Sequence, residues 1–482
     1  MNLAQKIAIL ILVILIVIII LVSTRKSKSS PNTDRCGPDQ YCGPGLICEN
    51  GDCVKPPRDV QPPEPPALCQ LGARDTTWEA TFLQTMTTLV PGYQDYPKLF
   101  TQPISNKMIL NTVGSPSSRL YRFNDDGTID TTFGTAGVLD IPGGRSVGFD
   151  DTGAIYVADG ASIGLTTVIR KFTINGVVDS SFGTAGTLNL TDFTIYGAGF
   201  AITIIQDPNG NMYIGGISLS PLPIRYAVFK FTTAGVIDTS FGTNSDGKVY
   251  FEDSLISPSI FRNYLNREVA LAFDGTRIVA LCQTEDVNAP VLIGITLAGT
   301  IDTSFGTNGV TILDAYLSDC PERNDDTWGL NLRSVNGAVY AAYTVYTSDG
   351  NLCPLYAALI KTIDGIPDPT FGTSGIAKIL EDPLSYEVLI RGMIIRPDGS
   401  IFLGNYWNHD PFGATLVALN PDGTLNTNFD TDGVFSIHPP VNPFDYLPMA
   451  GLHEDSDGNI IMVYYDRDEG AVYKGVKFLC TM

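Results

Sequence analysis

The chain of 482 residues has few of the groups that most enzymes use for catalysis. Its three histidines, His409, His438 and His453, lack the His-x-x-x-His spacing of a metal-binding helix, and none lies beside a recognisable nucleophile. The sequence has neither a lysine-bearing Gly-rich phosphate loop nor a Gly-x-Ser-x-Gly elbow. We therefore predict no catalytic residue, no metal site and no cofactor.

Positive charge is also scarce. The chain has 30 Lys and Arg against 51 Asp and Glu, which gives a formal net charge of −21. An acidic protein repels polyanions, so this composition argues against nucleic acid or anionic lipid as the ligand of the folded part. A protein or a carbohydrate ligand is compatible with it.

The sequence has one long hydrophobic run, which lies near the N-terminus. Ile7 to Thr24 contains 18 residues without a charge. As a helix this run would be about 27 Å long, enough to cross the apolar core of a bilayer. It is longer than the apolar region of a signal peptide, and no clear Ala-x-Ala site follows it. We predict a single-pass transmembrane anchor in residues 1–30, with a cleaved signal peptide as the alternative.

The residues after this run give conflicting signals about orientation. Arg25, Lys26 and Lys28 follow the run while Lys6 precedes it, which favours a cytosolic C-terminal part. Residues 31–54, however, are rich in Gly and Pro and predict a two-disulfide mini-knot in an oxidising compartment; zinc is the alternative. The cysteines concerned are Cys36, Cys42, Cys48 and Cys53.

A Pro-rich segment over residues 55–67 separates this region from the rest of the chain. Six prolines between positions 55 and 66 predict an extended, semi-rigid stalk. With the mini-knot, the stalk favours display of the C-terminal part on the extracellular, lumenal or virion-exterior side of the membrane. Asn189 heads an Asn-Leu-Thr sequon and is then a glycosylation site.

Residues 68–482 contain a repeated motif, Gly-x-x-Asp-x-x-Phe-Gly-Thr. Its first clear copy runs from Gly127 to Thr135, and the intervals between successive motif phenylalanines are 49 to 66 residues. An early copy, Gly72 to Trp78, has Trp in place of Phe, so seven copies exist. The phenylalanines are Phe133, Phe182, Phe241, Phe305, Phe371 and Phe429.

Repetition at this interval predicts one structural unit per copy, and the motif chemistry predicts its role. The glycine suits a tight turn, the aspartate can accept backbone N–H bonds in the next turn, and the aromatic ring can pack against the neighbouring unit. A group present in every copy is more often structural than catalytic. Each copy also has about four short apolar strands and no helical periodicity, which predicts an all-β, seven-bladed β-propeller of four-stranded blades.

The motif and the strand before it resemble the delta-60 repeat, a propeller-forming family, over about residues 68 to 482. The resemblance implies a propeller without an assigned reaction, so it supplies no catalytic residue. The sequence departs from the family pattern at Trp78-Glu79, at Asn426 in place of Asp, and at Phe429-Asp430 in place of Phe-Gly. These departures concern local turns.

The two ends of this domain complement each other. The last strand-like segment, from Ala471 to Phe478, lacks a following motif, and the early copy at Gly72 lacks preceding strands. We predict that they share the closing blade, with a disulfide between Cys69 and Cys480. Cys320 and Cys353 fall in the loops of one blade and form a second predicted pair, which leaves Cys282 as a buried thiol.

Ligand contacts are expected in insertions between repeats, because binding residues concentrate in loops on rigid scaffolds. The longest insertions contain or adjoin the aromatic residues Tyr264, Trp328, Tyr406 and Trp407. An aromatic residue there can be a sugar platform or a lid on the core, and the sequence leaves both open.

Two functional hypotheses follow. The first is a membrane-anchored binding or structural display module, because the anchor, Cys-rich segment and acidic propeller resemble an envelope protein of a large DNA virus or a cell-surface protein. The second is a glycan-active hydrolase or lyase with carboxylates in the central channel. Convergent carboxylates or histidines in the channel would favour the enzyme, and a plugged channel would favour a scaffold.

Deletion of residues 471–482 tests the predicted closure of the ring. The deletion would remove one strand of the closing blade and leave open sheet edges on both sides, so we expect the cooperative thermal transition to be lost. Circular dichroism melting of the full and shortened chains measures this. A shortened chain that melts cooperatively at the parental Tm would contradict the seven-blade arrangement.

Overall fold

The computed structural model describes residues 47–49, 52–54, 70–89, 95–113, 118–141, 144–159, 166–195, 204–218, 220, 225–251, 269–283, 290–313, 328–345, 355–382, 388–407, 413–430, 432–437, 448–466 and 472–481. The chain divides into two compact units, Met1–Ala67 and Leu68–Met482. In the first unit, β1 (Ile47–Glu49) and β2 (Asp52–Val54) form an antiparallel hairpin in which Cys48 is opposite Cys53.

The predicted membrane anchor and the Pro-rich stalk lie outside the described residues, as do Cys36 and Cys42. Among the residues that the structure does describe, no helix is both long and apolar enough to cross a bilayer.

The second unit is a ring of seven antiparallel blades, each with four strand positions, as the repeat predicts. First strands contact one another around the ring, including β30 with β4. They are β4 (Asp95–Thr101), β8 (Gly144–Phe149), β13 (Ile204–Gln206), β17 (Ala270–Phe273), β21 (Trp328–Val335), β26 (Val388–Ile395) and β30 (Met449–Glu454). Second strands are β5 (Met108–Val113), β9 (Ile155–Asp159), β14 (Asn211–Ser218), β18 (Ile278–Gln283), β22 (Ala338–Val345), β27 (Ile401–Trp407) and β31 (Ile460–Asp466).

The outer half of each blade contains the third and fourth strands. Third strands are β6 (Ser118–Phe123), β10 (Thr166–Phe172), β15 (Arg225–Thr232), β19 (Pro290–Ile295), β23 (Leu355–Ile363), β28 (Gly413–Leu419) and β32 (Val472–Thr481). Fourth strands are β7 (Val138–Ile141), β11 (Thr187–Thr191), β16 (Lys248–Tyr250), β20 (Val310–Ile312), β25 (Ile376–Asp382), β29 (Val434–Ile437) and β3 (Gln70–Arg74). Two short strands, β12 (Phe193–Thr194) and β24 (Ile366–Pro367), pair with β14 and β23.

The two faces of the ring differ in their connections. The turns from first to second strands and from third to fourth strands lie on one face, which we call the turn face. The connections from second to third strands and from one blade to the next lie on the opposite face, which we call the loop face.

The seventh blade closes the ring with strands from both ends of the domain. Its order is β3-β32-β31-β30, and β3 pairs antiparallel with β32 so that Leu71 is opposite Cys480. The predicted sharing of one blade by the two chain ends is therefore confirmed. Gly72 lies within β3 rather than in a turn, unlike the glycines that begin the other motif copies.

Helix α1 (Thr76–Leu89) follows β3 and contradicts the expectation of strands and turns alone. Asp75 caps it, because its Oδ1 accepts the Trp78 N–H at 3.0 Å and its carbonyl accepts the Glu79 N–H at 3.1 Å. Trp78, Phe82 and Met86 recur every four residues and are buried. Five of the other copies place Gly after the aromatic residue and the sixth places Asp430 there, each with a positive φ at which the chain turns back; Glu79 continues the helix instead.

The apolar core consists of seven clusters, each between two neighbouring blades. The motif aromatic residue of each blade lies in the cluster that it shares with the next blade, and each ring is at most 3% exposed. These residues are Trp78, Phe133, Phe182, Phe241, Phe305, Phe371 and Phe429. The predicted packing of the motif aromatic residue against the neighbouring unit is confirmed in every copy.

A backbone hydrogen bond accompanies this packing at five of the junctions. The N–H of the motif glycine Gly183 donates to the carbonyl of Ala234 in the next blade at 2.8 Å. The residue after Ala234 is Gly235, where φ is +79° and an added Cβ would lie 2.4 Å from the Gly183 nitrogen. Glycine is needed there for both reasons. The corresponding bonds are Gly134 to Asn175, Gly242 to Ala298, Gly306 to Asp364 and Gly372 to Asp422.

Substitution of Gly235 by alanine isolates the contribution of this close approach. Gly210 is a matched control, because its φ of +81° imposes the same backbone strain while the nearest atom to an added Cβ is 3.8 Å away. We expect Gly210→Ala to lower stability by about 1 kcal/mol and Gly235→Ala by about 1–3 kcal/mol more. Urea unfolding measures both. Equal midpoints for the two variants would show that the junction tolerates the methyl group.

Candidate functional site

A central cavity of about 800 Å³ opens at the turn face of the ring. First strands from six blades line it, namely β4, β8, β13, β21, β26 and β30. Its wall is mostly apolar and includes Phe100, Phe149, Ile204, Met393 and Leu452. This size and composition are typical of a small-molecule site.

Asp150 lines the cavity, but turn contacts occupy its carboxylate. Its Oδ1 accepts the N–H groups of Thr152 and Ala154, both at 3.0 Å, and the Thr152 hydroxyl at 2.6 Å. Its Oδ2 accepts the buried hydroxyl of Tyr156 at 3.0 Å. A carboxylate with these donors holds the turn in place and is a poor candidate for a general base.

Asp455, across the cavity, is used in the same way. Its Oδ1 accepts the backbone N–H groups of Asp457 and Asn459, and its Oδ2 accepts from the Lys477 ammonium and the Asn459 amide, both at 2.8 Å. Burial opposes ionisation of Asp455, but these donors outweigh it and hold its pKa below the usual range. The neighbouring Glu454 accepts from the Arg396 guanidinium at 2.6 Å.

Among the described residues, Arg333 is the cationic side chain that lines the cavity. It lies on β21 and is only partly exposed. Its Nη1 donates to the carbonyl of Leu332 at 3.2 Å, and it has no ion pair in the described part of the chain. Burial lowers its pKa to about 10, because no neighbouring charge compensates for the loss of hydration.

The aspartates of the repeated motif have structural roles, as predicted. In Asp130, Asp179, Asp238, Asp302 and Asp368, Oδ1 accepts both the N–H and the hydroxyl of the Ser or Thr two residues later. Third-strand cations pair with most of them, for example Lys230 with Asp238 at 3.0 Å. The Ser240 hydroxyl and Lys230 lower the pKa of Asp238.

The fourth blade replaces this third-strand cation with Gly294 and supplies the charge from elsewhere. Arg277, in the turn before β18, donates to Asp302 at 2.9 Å and to Asp274 at 3.1 Å. It also reaches Asp364 of the fifth blade at 2.7 Å. Asp302 therefore keeps a cationic partner, although glycine replaces the cation of its third strand.

A buried histidine joins the first strands at the seam between the seventh and first blades. His453 is 1% exposed, and its Nδ1 lies 2.8 Å from the hydroxyl of Thr101. Burial lowers the pKa of His453 to about 4, while Asp455 opposes the shift and Lys477 adds to it. The imidazole is therefore neutral near pH 7 and bridges two strands.

The structure places only some of the sequence-predicted site residues. Asn189 is exposed on β11, and Cys282 is a buried thiol on β18. Trp328 begins β21, and Tyr406 and Trp407 end β27, so all three backbone positions lie at the loop face. Tyr264, Cys320 and Cys353 lie outside the described residues.

The predicted disulfides remain predictions. Cys480 is disulfide-bonded, and Cys69, its predicted partner, lies outside the described residues. Cys48 and Cys53 face each other in the register of β1 and β2, and their mini-knot partners are likewise outside.

Arg333 and His453 are the site features that the sequence analysis missed or left unassigned. Arg333 occurs in Leu-Asn-Leu-Arg-Ser-Val, one of the short strands that the sequence analysis treated simply as apolar. A charged residue in an otherwise apolar strand could have marked Arg333 as a candidate site residue. Among the residues that the structure describes, no group of three His, Cys, Asp or Glu side chains could hold a metal ion.

Comparisons with known proteins add no function. No family model matches the chain, and no curated protein matches it. Among solved structures, the polysaccharide lyase Uly1 has 10% identity, a TM-score of 0.43, and coverage of 80% of this chain and 90% of that one. An ulvan lyase has 12% identity, a TM-score of 0.42, and coverage of 81% and 95%. A prolyl endopeptidase has 12% identity, a TM-score of 0.44, and coverage of 82% and 48%. Similarity at this level carries no functional argument.

The pKa of His453 predicts a pH dependence of stability. The unfolded chain binds a proton at this residue below about pH 6.5, whereas the folded chain does so only below about pH 4. Stability should therefore fall as pH decreases from 6.5 to 4, by about 3 kcal/mol at most. His453→Asn keeps a partner for Thr101 and should lose this contribution.

Urea unfolding of both proteins at pH 7 and pH 4.5 measures how much stability each loses. The contributions of His409 and His438 cancel because both proteins contain these residues. If parent and variant lose the same stability at pH 4.5, His453 is not the group responsible.

Proposed function

We propose that the protein is a membrane-anchored binding or display module that recognises a protein or carbohydrate ligand at the loop face of its propeller. The anchor and the exterior placement come from the sequence of residues 1–67. The propeller fold by itself supports many functions, so the argument for binding rests on the distribution of residues around the ring.

The observation that carries the proposal is the position of the longest insertions. They follow β16, β20 and β29, each of which ends at the loop face, and a shorter connection after β27 adjoins Tyr406 and Trp407. On the turn face the connections have similar lengths from blade to blade and repeat the same hydrogen bonds. Variable segments supported by a rigid ring are where binding residues concentrate. Aromatic residues at this face include Trp328 and Trp407, which suit either a sugar ring or a protein side chain.

The cavity supports a catalytic role less well. Asp150 and Asp455 have their oxygens occupied by turn and lysine donors, and Glu454 is paired with Arg396. Two carboxylates free to act as acid and base are therefore not found among the described cavity residues. A hydrolase or lyase activity consequently remains an outcome of the experiment below.

A binding screen tests this proposal. Residues 70–481 contain every strand of the ring, so residues 68–482 can be immobilised and exposed to glycan and extracellular-protein arrays. We expect a specific ligand whose affinity falls at least about tenfold in Trp407→Ala. Val236→Ala is the control, because Val236 is a 60% exposed apolar residue at the turn face.

Equal losses in both variants would place the site away from the loop face. Conversion of an arrayed glycan into shorter products would favour the hydrolase or lyase. Absence of any specific ligand would contradict the binding role.

A further inference from the structure

The central cavity contains an electrostatic asymmetry that the proposed recognition at the loop face does not use. Asp150, Glu454 and Asp455 have hydrogen-bonding or cationic partners, whereas Arg333 has no carboxylate partner among the described residues. The buried arginines Arg122 and Arg396 have carboxylate partners: Arg122 lies 2.8 Å from Asp130, and Arg396 lies 2.6 Å from Glu454. Arg333 has only the carbonyl of Leu332, within the described residues.

Arg333 is only partly exposed, and a guanidinium that loses part of its hydration without gaining a counter-ion is less favourable than a paired one. The lowered pKa of Arg333 has burial as its single cause, which is consistent with the absence of a nearby carboxylate. In a chain with 51 acidic residues, a partner for this arginine would be easy to supply. An external anion would satisfy the guanidinium, and the planar fork of arginine favours a bidentate carboxylate.

The other residues of the cavity determine the charge and polarity of the molecule that can carry the anionic group. Phe100, Phe149, Met393 and Leu452 provide an apolar wall. Asp150 and Asp151 lie at the turn face and place negative charge at the opening. A polyanion would be repelled at this opening, whereas an apolar molecule with one negative charge would gain contact with the wall. About 800 Å³ accommodates such a molecule.

We propose that the central cavity binds a small monocarboxylate with an apolar body, with the carboxylate on the Arg333 guanidinium and the apolar part against the inner strands. This site is distinct from the proposed ligand contacts at the loop face. It is a second binding function of the same ring.

Isothermal titration calorimetry on the full chain in mild detergent tests the site, with cyclohexanecarboxylate as the probe. Cyclohexanecarboxamide has nearly the same shape and no charge, and 1,4-cyclohexanedicarboxylate adds a second charge. We expect the monocarboxylate to bind at least about tenfold more tightly than either, because hydrogen bonds to charged groups contribute that much.

Substitutions assign the binding to Arg333. Arg333→Gln should lower the affinity for cyclohexanecarboxylate about 10- to 100-fold, and Arg333→Lys should retain part of it. The control is Arg119→Gln, because Arg119 pairs with Asp140 on the exposed surface and should leave binding unchanged. The Tm of Arg333→Gln should equal or exceed that of the parent, because a desolvated charge is removed.

Several results would overturn the proposal. These are equal binding of acid and amide, no measurable binding of the acid, or full affinity in Arg333→Gln. If Arg333→Gln fails to fold, the acid and amide comparison on the unsubstituted chain decides the question. A negative result for the cavity does not affect the proposed recognition at the loop face, because that proposal is tested with different ligands and with Trp407→Ala.

Discussion

The fold depends on one contact that recurs around the ring, the insertion of a motif aromatic ring between its own blade and the next. Each blade is apolar on both faces, so no blade can bury its surface alone. The aromatic ring fills the space between two blades, and the adjacent glycine backbone approaches closely enough for Gly183 to bond Ala234 at 2.8 Å. Loss of such a buried ring would cost about 3–5 kcal/mol. The recurring motif is thus the junction between blades, and its repetition makes a closed ring possible.

Charge in this acidic protein is organised by the same repeat. The motif aspartate holds the turn through backbone and hydroxyl donors, and a third-strand cation such as Lys230 then compensates its charge. The fourth blade has Gly294 at the cation position and draws on Arg277 from a different turn. The motif aspartates of the first five blades therefore all have a cationic partner, although the cation of the fourth blade comes from a different position. Much of the limited positive charge serves the scaffold, which leaves Arg333 as an exception that calls for a functional explanation.

The features that recur in every blade could be predicted from the sequence, whereas features that occur in only one blade were missed. Seven copies of one motif predicted the number of blades, and the unmatched motif at one end and unmatched strand at the other predicted the closure that β3 and β32 form. Helix α1 was missed because its copy was interpreted by analogy with the others, although Trp78, Phe82 and Met86 recur at helical spacing. Arg333 could not be placed in the cavity from sequence, because its direction depends on the register of β21 with β22 and on the position of that blade in the ring.

The difference between repeated and single features has a physical basis, which also indicates where functional residues are expected. In six blades the motif lies in the turn between third and fourth strands, where its glycine and aromatic residue contact the blade itself or the next one. The cavity is lined by first strands, whose inward side chains face an open space rather than a neighbouring sheet. A substitution at such a position, like arginine at 333, leaves the junction contacts intact and changes only the chemistry of the cavity. The loop face has the same freedom, because its connections begin after the strands have been fixed by their junctions. Function in this ring is therefore expected at the axis and at the loop face, where the repeat imposes the fewest constraints.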